Sequence, residues 1–299
     1  MLDPQITISV VTPTRGDNLL LRRAIQSVCS QTLPPSELII VVDGNNYAPV
    51  ESYLADAGLN KTSIRVISTG KKRGANACRN LGVAIANSSY IAFLDDDDSF
   101  DGDYLEKMSS EVASGFDLYY ASKALCYESN LHRTVREVLA ARDIDFDDLL
   151  FGNAIGTTSS VMLSKEVFLR VGGFDEELCA YQDYDLWLRF LYISRARSAK
   201  NAMVRYTIPY ARQSIGGNTD VASGAAKRIL EKWRHRLGGE AFQTLEASLS
   251  FSIAKTLHRK NYIRSIPYTL RAIVLHRRLK GVALLLPSWV LRIISRSTT

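Results

Sequence analysis

Leu38-Ile39-Ile40-Val41-Val42 is apolar at every position, and residues 6–11 and 90–94 read as apolar strands before and after it. A strand without a polar face has no side to present to water. Such runs belong in a sheet covered on both faces, and helical spacing between them makes the sheet parallel. Residues 19–31 have that spacing, with Leu20, Ala24, Ile25 and Val28 on one face. Residues 50–57 and 75–86 read as further helices, and 63–68 as a further strand. In sheets of this kind ligands sit beyond the carboxyl ends of the strands. Three strands end in polar, turn-rich segments, Thr12-Pro13-Thr14-Arg15-Gly16-Asp17, Asp43-Gly44-Asn45-Asn46 and Asp95-Asp96-Asp97-Asp98, and Gly70-Lys71-Lys72-Arg73-Gly74 follows the 63–68 strand onto the same edge.

The four consecutive aspartates carry the first chemical signal. Carboxylates a few Å apart repel and raise one another's pKa. A divalent cation relieves that, and hard cations such as Mg²⁺ take carboxylate oxygens together with substrate phosphates. The cluster therefore asks for a metal with a phosphate ligand on it, and the cations of 71–73 suit a diphosphate. The plainer readings are an exposed acidic turn and a solvated basic loop.

Other features bound the answer. A chain of 299 residues, 46% hydrophobic and 23% charged, supports one large domain with an appendage. The N-terminus lacks the basic-then-apolar pattern of a secretory signal. Cys29, Cys78, Cys126 and Cys179 make no Cys-x-x-Cys pair, which argues against zinc and a disulfide framework and for scattered thiols in a reducing cytosol. The net charge of +6 is segregated: residues 247–299 hold ten Lys/Arg and no acidic residue, leaving 27 basic against 31 acidic side chains before them. That distribution points to an anionic surface as partner for the basic end. The basic residues are mixed with Leu, Ile and Val rather than with stacking aromatics, so a membrane surface suits them better than nucleic acid. The apolar block 282–290, interrupted by Pro287, is too short to span a bilayer. A helical cap packed on the rest of the chain is the other reading of this region.

Between these regions, residues 122–131 and 135–139 read as short strands or a hairpin, 143–150 and 165–171 as helices, and 181–191 as a helix with Asp183 and Asp185 near its start. From 224 to 260 the pattern is helical throughout.

Taken in order, these residues resemble the family 2 inverting glycosyltransferases, which have the GT-A fold. The resemblance rests on Ser9-Val10-Val11-Thr12-Pro13-Thr14-Arg15, Arg23-Ala24-Ile25-Gln26-Ser27-Val28, Glu37-Leu38-Ile39-Ile40-Val41-Val42-Asp43-Gly44, Ala77-Cys78-Arg79-Asn80-Leu81-Gly82 and Phe93-Leu94-Asp95-Asp96-Asp97-Asp98. It continues through Gly172-Gly173-Phe174-Asp175-Glu176 to Asp183-Tyr184-Asp185-Leu186-Trp187-Leu188-Arg189. It implies a Rossmann-like α/β fold with a mostly parallel sheet flanked by helices. The catalytic domain would occupy residues 1–220, with a nucleotide-sugar half (1–100) and an acceptor half (101–220), and 221–299 would form a helical, basic C-terminal region.

The resemblance further implies a nucleotide-diphosphate sugar donor, a saccharide or lipid-linked acceptor, and a divalent metal, Mn²⁺ or Mg²⁺. By its motif Asp97 would ligate the metal, Asp96 would face the ribose and Asp95 would support both. Asp43 would accept a hydrogen bond from the base, favouring uridine. Thr12, Pro13 and Arg15 would line base and ribose, Arg73 would neutralise the diphosphate, and Asp183 would be the catalytic base. The enzyme would act in the cytoplasm, peripherally on the inner face of the membrane, in surface polysaccharide synthesis. Two departures stand out: Gln182 replaces the usual glutamate before the base, and Tyr210-Ala211-Arg212-Gln213-Ser214 lacks the family's histidine, with Arg212 a stand-in on phosphate. A haloacid-dehalogenase-like phosphatase fits poorly because three strands precede the acidic motif, and a sugar nucleotidyltransferase because its glycine-rich N-terminal loop is missing. A catalytically inactive GT-A protein that binds a partner is the non-enzymatic alternative.

Overall fold

The computed structural model describes residues 6–55, 62–112, 115–209, 219–276 and Leu285. The chain divides into two compact units, Met1–Asp145 with Ile155–Glu176 and Leu186–Ala211, and Phe146–Ala154 with Glu177–Asp185 and Arg212–Thr299. In chain order the elements are β1 (Ile8–Thr14), α1 (Leu21–Cys29), β2 (Glu37–Val42), α2 (Ala48–Ala55), β3 (Ser63–Ser68), α3 (Ala75–Ile85), β4 (Tyr90–Phe93), β5 (Ser99–Phe100) and α4 (Tyr104–Ser110). They continue as β6 (Leu118–Tyr127), β7 (Asn130–Val138), α5 (Phe146–Leu150), β8 (Val161–Ser164), α6 (Lys165–Arg170), α7 (Gln182–Leu191), β9 (Ala196–Ile208), α8 (Thr219–Trp233), α9 (Gly239–Lys260) and α10 (Tyr262–His276).

The first unit is built on one sheet of order β3-β2-β1-β4-β8-β6-β9-β5, with β7 paired to β6. The pairs β3–β2, β2–β1 and β1–β4 are parallel, as the apolar runs require. Beyond β4 the sheet becomes mixed: β8 is antiparallel to β4 and β6, and β9 is parallel to β6. Every side chain of β1 and β2 is buried. Each buried Val, Leu or Ile removes enough surface from water to contribute about 1.5–3 kcal/mol, which makes this four-strand segment the stable floor on which the loops rest. Glu37, the one charge in β2, is held by the Ser9 hydroxyl (2.7 Å), the Asn87 amide (2.6 Å) and Arg65 (3.2 Å).

Several boundaries differ from the sequence reading. β1 continues through Thr12-Pro13-Thr14, read above as a turn. Proline is normally excluded from a central strand because it cannot donate to the ladder. Here Leu94 N–H donates to Val11 O, whereas Asp43 N–H donates to Thr14 O. Strand alternation thus turns the Pro13 nitrogen toward the β4 side, where the β1–β4 pairing already stops at Val11–Phe93. α1 begins at Leu21, so its buried face is Leu21, Ala24, Ile25 and Val28, with Leu20 only half-buried. The helix expected over 143–150 is confined to α5, because Ile144 is drawn into a bridge with Ala196. The 224–260 stretch is broken by a turn ahead of Gly238-Gly239, separating α8 from α9. β3 lies where the pattern put it; the hairpin forms, but its turn falls at 128–129, so that Asn130 and Leu131, read as part of the first strand, belong to β7.

In the second unit α8, α9 and α10 pack with Trp233, Leu245, Leu249, Ile253 and Leu257 buried. Phe146 of α5 meets the Trp233 ring at 5.2 Å between centroids. Among the described residues no helix is long and apolar enough to cross a membrane. Arg212 and most of the apolar block 282–290 lie outside the described residues.

Candidate active site

The loops after β1, β2, β3 and β4 leave the same edge of the sheet, and hydrogen bonds tie them to one another. Thr14 donates its hydroxyl to Asp96 Oδ2 (2.6 Å), and Asn18 Nδ2 donates to Asp96 Oδ1 (2.9 Å). The Thr14 hydroxyl also accepts from the Gly16 amide (3.0 Å). Gly16 has φ +76°, and a Cβ there would stand 2.2 Å from Asn46 O. Only glycine lets the β1 loop lie this close to the β2 loop. Thr12 and Pro13 are buried in β1, while Arg15 is exposed, 3.6 Å from Asp17.

Asp43, at the end of β2, organises the neighbouring loop. Its Oδ1 accepts from the amides of Arg73 (2.7 Å) and Gly74 (3.1 Å) and from the Thr69 hydroxyl (3.5 Å). The loop after β3 is therefore folded over the β2 terminus. The Arg73 guanidinium pairs with Glu176 at 2.8 Å, in a half-exposed bridge. Bridges of that exposure contribute little and exchange readily. Lys71 and Lys72 point to solvent.

The four aspartates of the row have different surroundings in the structure. Asp95 pairs with Arg79 (2.5 Å) and accepts from the Thr158 hydroxyl (3.2 Å), and its amide donates to Ser159 Oγ (3.1 Å). Arg79 is 5% exposed and lies 5.4 Å from the Phe174 ring centroid. Asp96 is held by Thr14 and Asn18, as above. Asp97 is half-buried, and its carbonyl accepts from Arg23 Nη2 (2.6 Å) and from the Thr207 hydroxyl. Asp98 is fully buried and accepts from the Thr207 amide (2.8 Å). Burial, with the charges of Asp97 and Asp95 behind it, pushes the Asp98 carboxyl well above the usual range, against hydrogen bonds from Ser159 and Thr207. Among the described residues no three His, Cys, Asp or Glu side chains converge as a metal cluster.

Asp183 belongs to the second unit. It stands in the first turn of α7 and accepts from its own neighbour's amide, Tyr184 N–H, at 2.8 Å through Oδ1. Asn153 Nδ2 donates to its Oδ2 at 3.0 Å. Tyr181, two residues earlier, has φ +56°, a costly conformation for a bulky residue. Its phenol donates to Ser252 Oγ (3.3 Å), and burial pushes its pKa up. Asp185 is fully buried and pairs with Lys232 at 2.7 Å. The two aspartates of this turn are thus in different environments: Asp185 neutralised inside, Asp183 half-buried with an amide and a carboxamide as donors.

Thr12, Pro13, Asp43, Arg73, Asp95, Asp96 and Asp97 are gathered at one sheet edge. The residues that fix them went unassigned in the sequence reading. Arg23 and Arg79 were quoted only as motif letters, and Thr207, 110 positions from Asp97, left no local trace. The available signal was the one charge on a helix of apolar and amide residues: Arg79 follows Ala77 and Cys78, and all three are buried in α3. A separate cavity of about 660 Å³ in the first unit is lined by Arg23, Ser27, Ser99, His132 and Arg205, and neither Asp43 nor Asp95 borders it.

The model of glycosyl transferase family 2 matches residues 9–172. An uncharacterized glycosyltransferase of Bacillus subtilis, YwdF, is 29% identical over 240 residues, covering 77% of this chain and 85% of that protein. The putative colanic acid biosynthesis glycosyl transferase WcaA of Escherichia coli is 29% identical over 194 residues, covering 62% and 66%. Among solved structures, S. aureus TarS residues 1–349 in complex with UDP-GlcNAc superposes with TM-score 0.68 at 15% identity, covering 90% of this chain and 79% of that one. The Pyrobaculum calidifontis mannosyltransferase PcManGT, in complex with GDP-Man and Mn²⁺, superposes with TM-score 0.62 at 14% identity, covering 97% and 82%. At these identities the structural likeness is one of fold. The family match spans more than half the chain, from β1 to the turn after α6, and includes the four strand ends that gather the aspartates; the chain belongs to glycosyl transferase family 2 and is a glycosyltransferase of GT-A fold.

Proposed function

We propose that this enzyme moves a sugar from a nucleoside-diphosphate donor, UDP-linked, to a hydroxyl of a saccharide or lipid-linked acceptor in surface polysaccharide synthesis, inverting the anomeric centre. The observation that carries this is the shared edge of β2, β1 and β4, where Asp43, the Thr12–Thr14 end of β1 and Asp95–Asp97 meet. Asp43 Oδ1 is engaged by loop amides, so Oδ2 is the oxygen offered to the N3–H of uracil. Asp96, aligned by Thr14 and Asn18, faces the ribose hydroxyls. Arg73 leaves Glu176 for the diphosphate when the donor enters.

A divalent cation, Mn²⁺ or Mg²⁺, fits the donor set. Mg²⁺ sites of this type take one or two carboxylates and draw the remaining ligands from substrate phosphates and water. Asp97 would hold it, with Asp95 fixed behind by Arg79. When bound, the ion neutralises charge on the departing nucleoside diphosphate. The relative PcManGT, whose structure contains Mn²⁺, supports this choice.

Asp183 takes the proton of the acceptor hydroxyl as that oxygen attacks. Asn153 orients the carboxylate, and the requirement is hydrogen-bond reach to the acceptor. The match to WcaA supports a polysaccharide pathway. The basic stretch 247–299 supports peripheral contact with the inner face of a membrane, where a lipid-linked acceptor is held.

The test is sugar transfer by Asp183→Asn. Transfer to acceptor falls by roughly 10²–10⁴-fold, the contribution of a general base of this kind, while UDP binding stays at the wild-type level. Transfer within tenfold of wild type removes Asp183 from the reaction.

A further inference from the structure

α10 presents two opposite faces. Ser265, Thr269 and Ala272 are fully buried in the second unit. Their hydroxyls turn back onto the helix itself, Ser265 Oγ donating to Tyr262 O (2.6 Å) and Thr269 Oγ1 to Ser265 O (2.9 Å), so this face packs closely with its polar atoms satisfied. On the other side Ile263 is 76% exposed, Leu270 47% and Val274 78%, with Pro267 exposed between them. At 3.6 residues per turn, positions 263, 267, 270 and 274 fall within an arc of about 60°, centred nearly opposite the buried face. Arg264 and Arg271 lie along one flank of that arc. Each pairs with an acidic residue, Arg264 with Asp220 at 3.2 Å and Arg271 with Glu246, in exposed bridges that exchange easily.

We propose that this face of α10 seats the enzyme on an anionic lipid surface. The proposal rests on the membrane-held acceptor suggested above and names the surface that makes the contact. Isoleucine, leucine and valine on one arc, with arginines at its margin, are the arrangement of a helix lying in the headgroup plane. Residues 247–299 carry ten Lys/Arg and no acidic residue. That charge complements anionic lipid and opposes the other self-complementary occupant, a second copy, which would bring the same positive charge to an isologous contact. Pro267 lies on the same arc, where it removes the amide that would otherwise pair with the Ile263 carbonyl.

The experiment is co-sedimentation of the full chain with vesicles of phosphatidylcholine alone and of phosphatidylcholine with phosphatidylglycerol. Wild type, the triple variant Ile263→Ser/Leu270→Ser/Val274→Ser and the double variant Arg264→Gln/Arg271→Gln are compared, with UDP titration and light scattering on each. Wild type binds the anionic vesicles and releases with salt. The serine variant binds at least about tenfold more weakly, the loss expected when three aliphatic side chains no longer enter the interface, and the arginine variant loses the preference for phosphatidylglycerol. Failure of wild type to sediment, or serine-variant binding equal to wild type, overturns the proposal. So does a wild-type dimer that the serine variant converts to monomer with vesicle binding unchanged. UDP binding separates the two readings. If it is absent in a wild type that binds vesicles, the donor assignment fails and the surface stands; if it is retained in a variant that has left the vesicles, the surface is confirmed independently.

Discussion

Replacing Asp95 by asparagine strands the Arg79 guanidinium in the first unit. Arg79 is 5% exposed, its Nε and Nη1 have no hydrogen-bond partner, and its compensation comes from Asp95 and the Phe174 ring. Two unit charges about 4 Å apart at an effective dielectric near 20 attract by about 4 kcal/mol. Asp95 is 26% exposed, so water screens part of this. Removing one member of a buried pair costs about 3–5 kcal/mol; with that screening, Asp95→Asn is expected to destabilise by about 3 kcal/mol. Arg79→Met on the same background removes the orphaned cation and its two unpaired donors and recovers at least half of the loss, which is the sign of coupling expected for a contacting pair. The assay is urea unfolding followed by circular dichroism, with hydrogen exchange at the β4 amides locating the change. An Asp95→Asn variant within about 0.5 kcal/mol of wild type, or strictly additive losses in the double variant, refutes the reasoning, since surface substitutions alone fall in that range.

Further outcomes follow from other contacts. Gly82→Ala gains helix propensity but places a Cβ 2.4 Å from Val11 Cγ1; overpacking of this kind costs about 1–3 kcal/mol, so the melting temperature falls, and a rise would show that α3 shifts freely over β1. Burial alone would raise the Glu37 pKa, but the Asn87 amide, Ser9 and Arg65 outweigh it and hold the carboxyl below its ordinary value. The unfolded chain therefore takes up the proton first as pH falls, so the stability advantage of wild type over Glu37→Gln is full at neutral pH and is lost progressively as pH falls from about 4.3, the unperturbed glutamate value, through the lower pKa of the folded state; urea midpoints at neutral and acid pH check it, and a gap independent of pH contradicts it. Asp185→Asn removes the fully buried carboxylate that pairs with Lys232 and costs about 3 kcal/mol, with Lys232→Met restoring part of it in thermal unfolding; equal melting of Asp185→Asn and wild type would exclude the pair as a structural element.

The parallel half of the sheet was legible because its signal is local. β2 and β4 show in the sequence as apolar runs bounded by turn residues, and the loops they end in carry the polar side chains. The end of β1 was not legible, because Pro13 is acceptable only through the place where β4 stops pairing, which no local pattern records. Likewise Leu21 rather than Leu20 opens the buried face of α1, a matter of one residue of helix phase. The division of labour within Asp95–Asp98 depends on Arg79, Thr14, Asn18 and Thr207, partners drawn from α3, β1, the loop after it and β9. Repulsion among four adjacent carboxylates is a sound expectation for bare charges. It persists at Asp98, whose carboxyl is raised by burial and by the charges of Asp97 and Asp95, while Arg79, Thr14 and Asn18 hold Asp95 and Asp96 in place. The exposed arc of α10 was visible only as a mixture of basic and apolar residues until its buried counterpart, Ser265, Thr269 and Ala272, fixed which side faces out.

The donor site is tested most directly by calorimetric titration of UDP and GDP into wild type and Asp97→Ala, each with Mn²⁺ and with EDTA. UDP should bind wild type only with the metal present, GDP more weakly, and Asp97→Ala should lose the metal-dependent binding while remaining folded. Metal-independent UDP binding that is the same in both proteins would contradict the assignment of Asp97 and, with it, the proposed geometry of the donor.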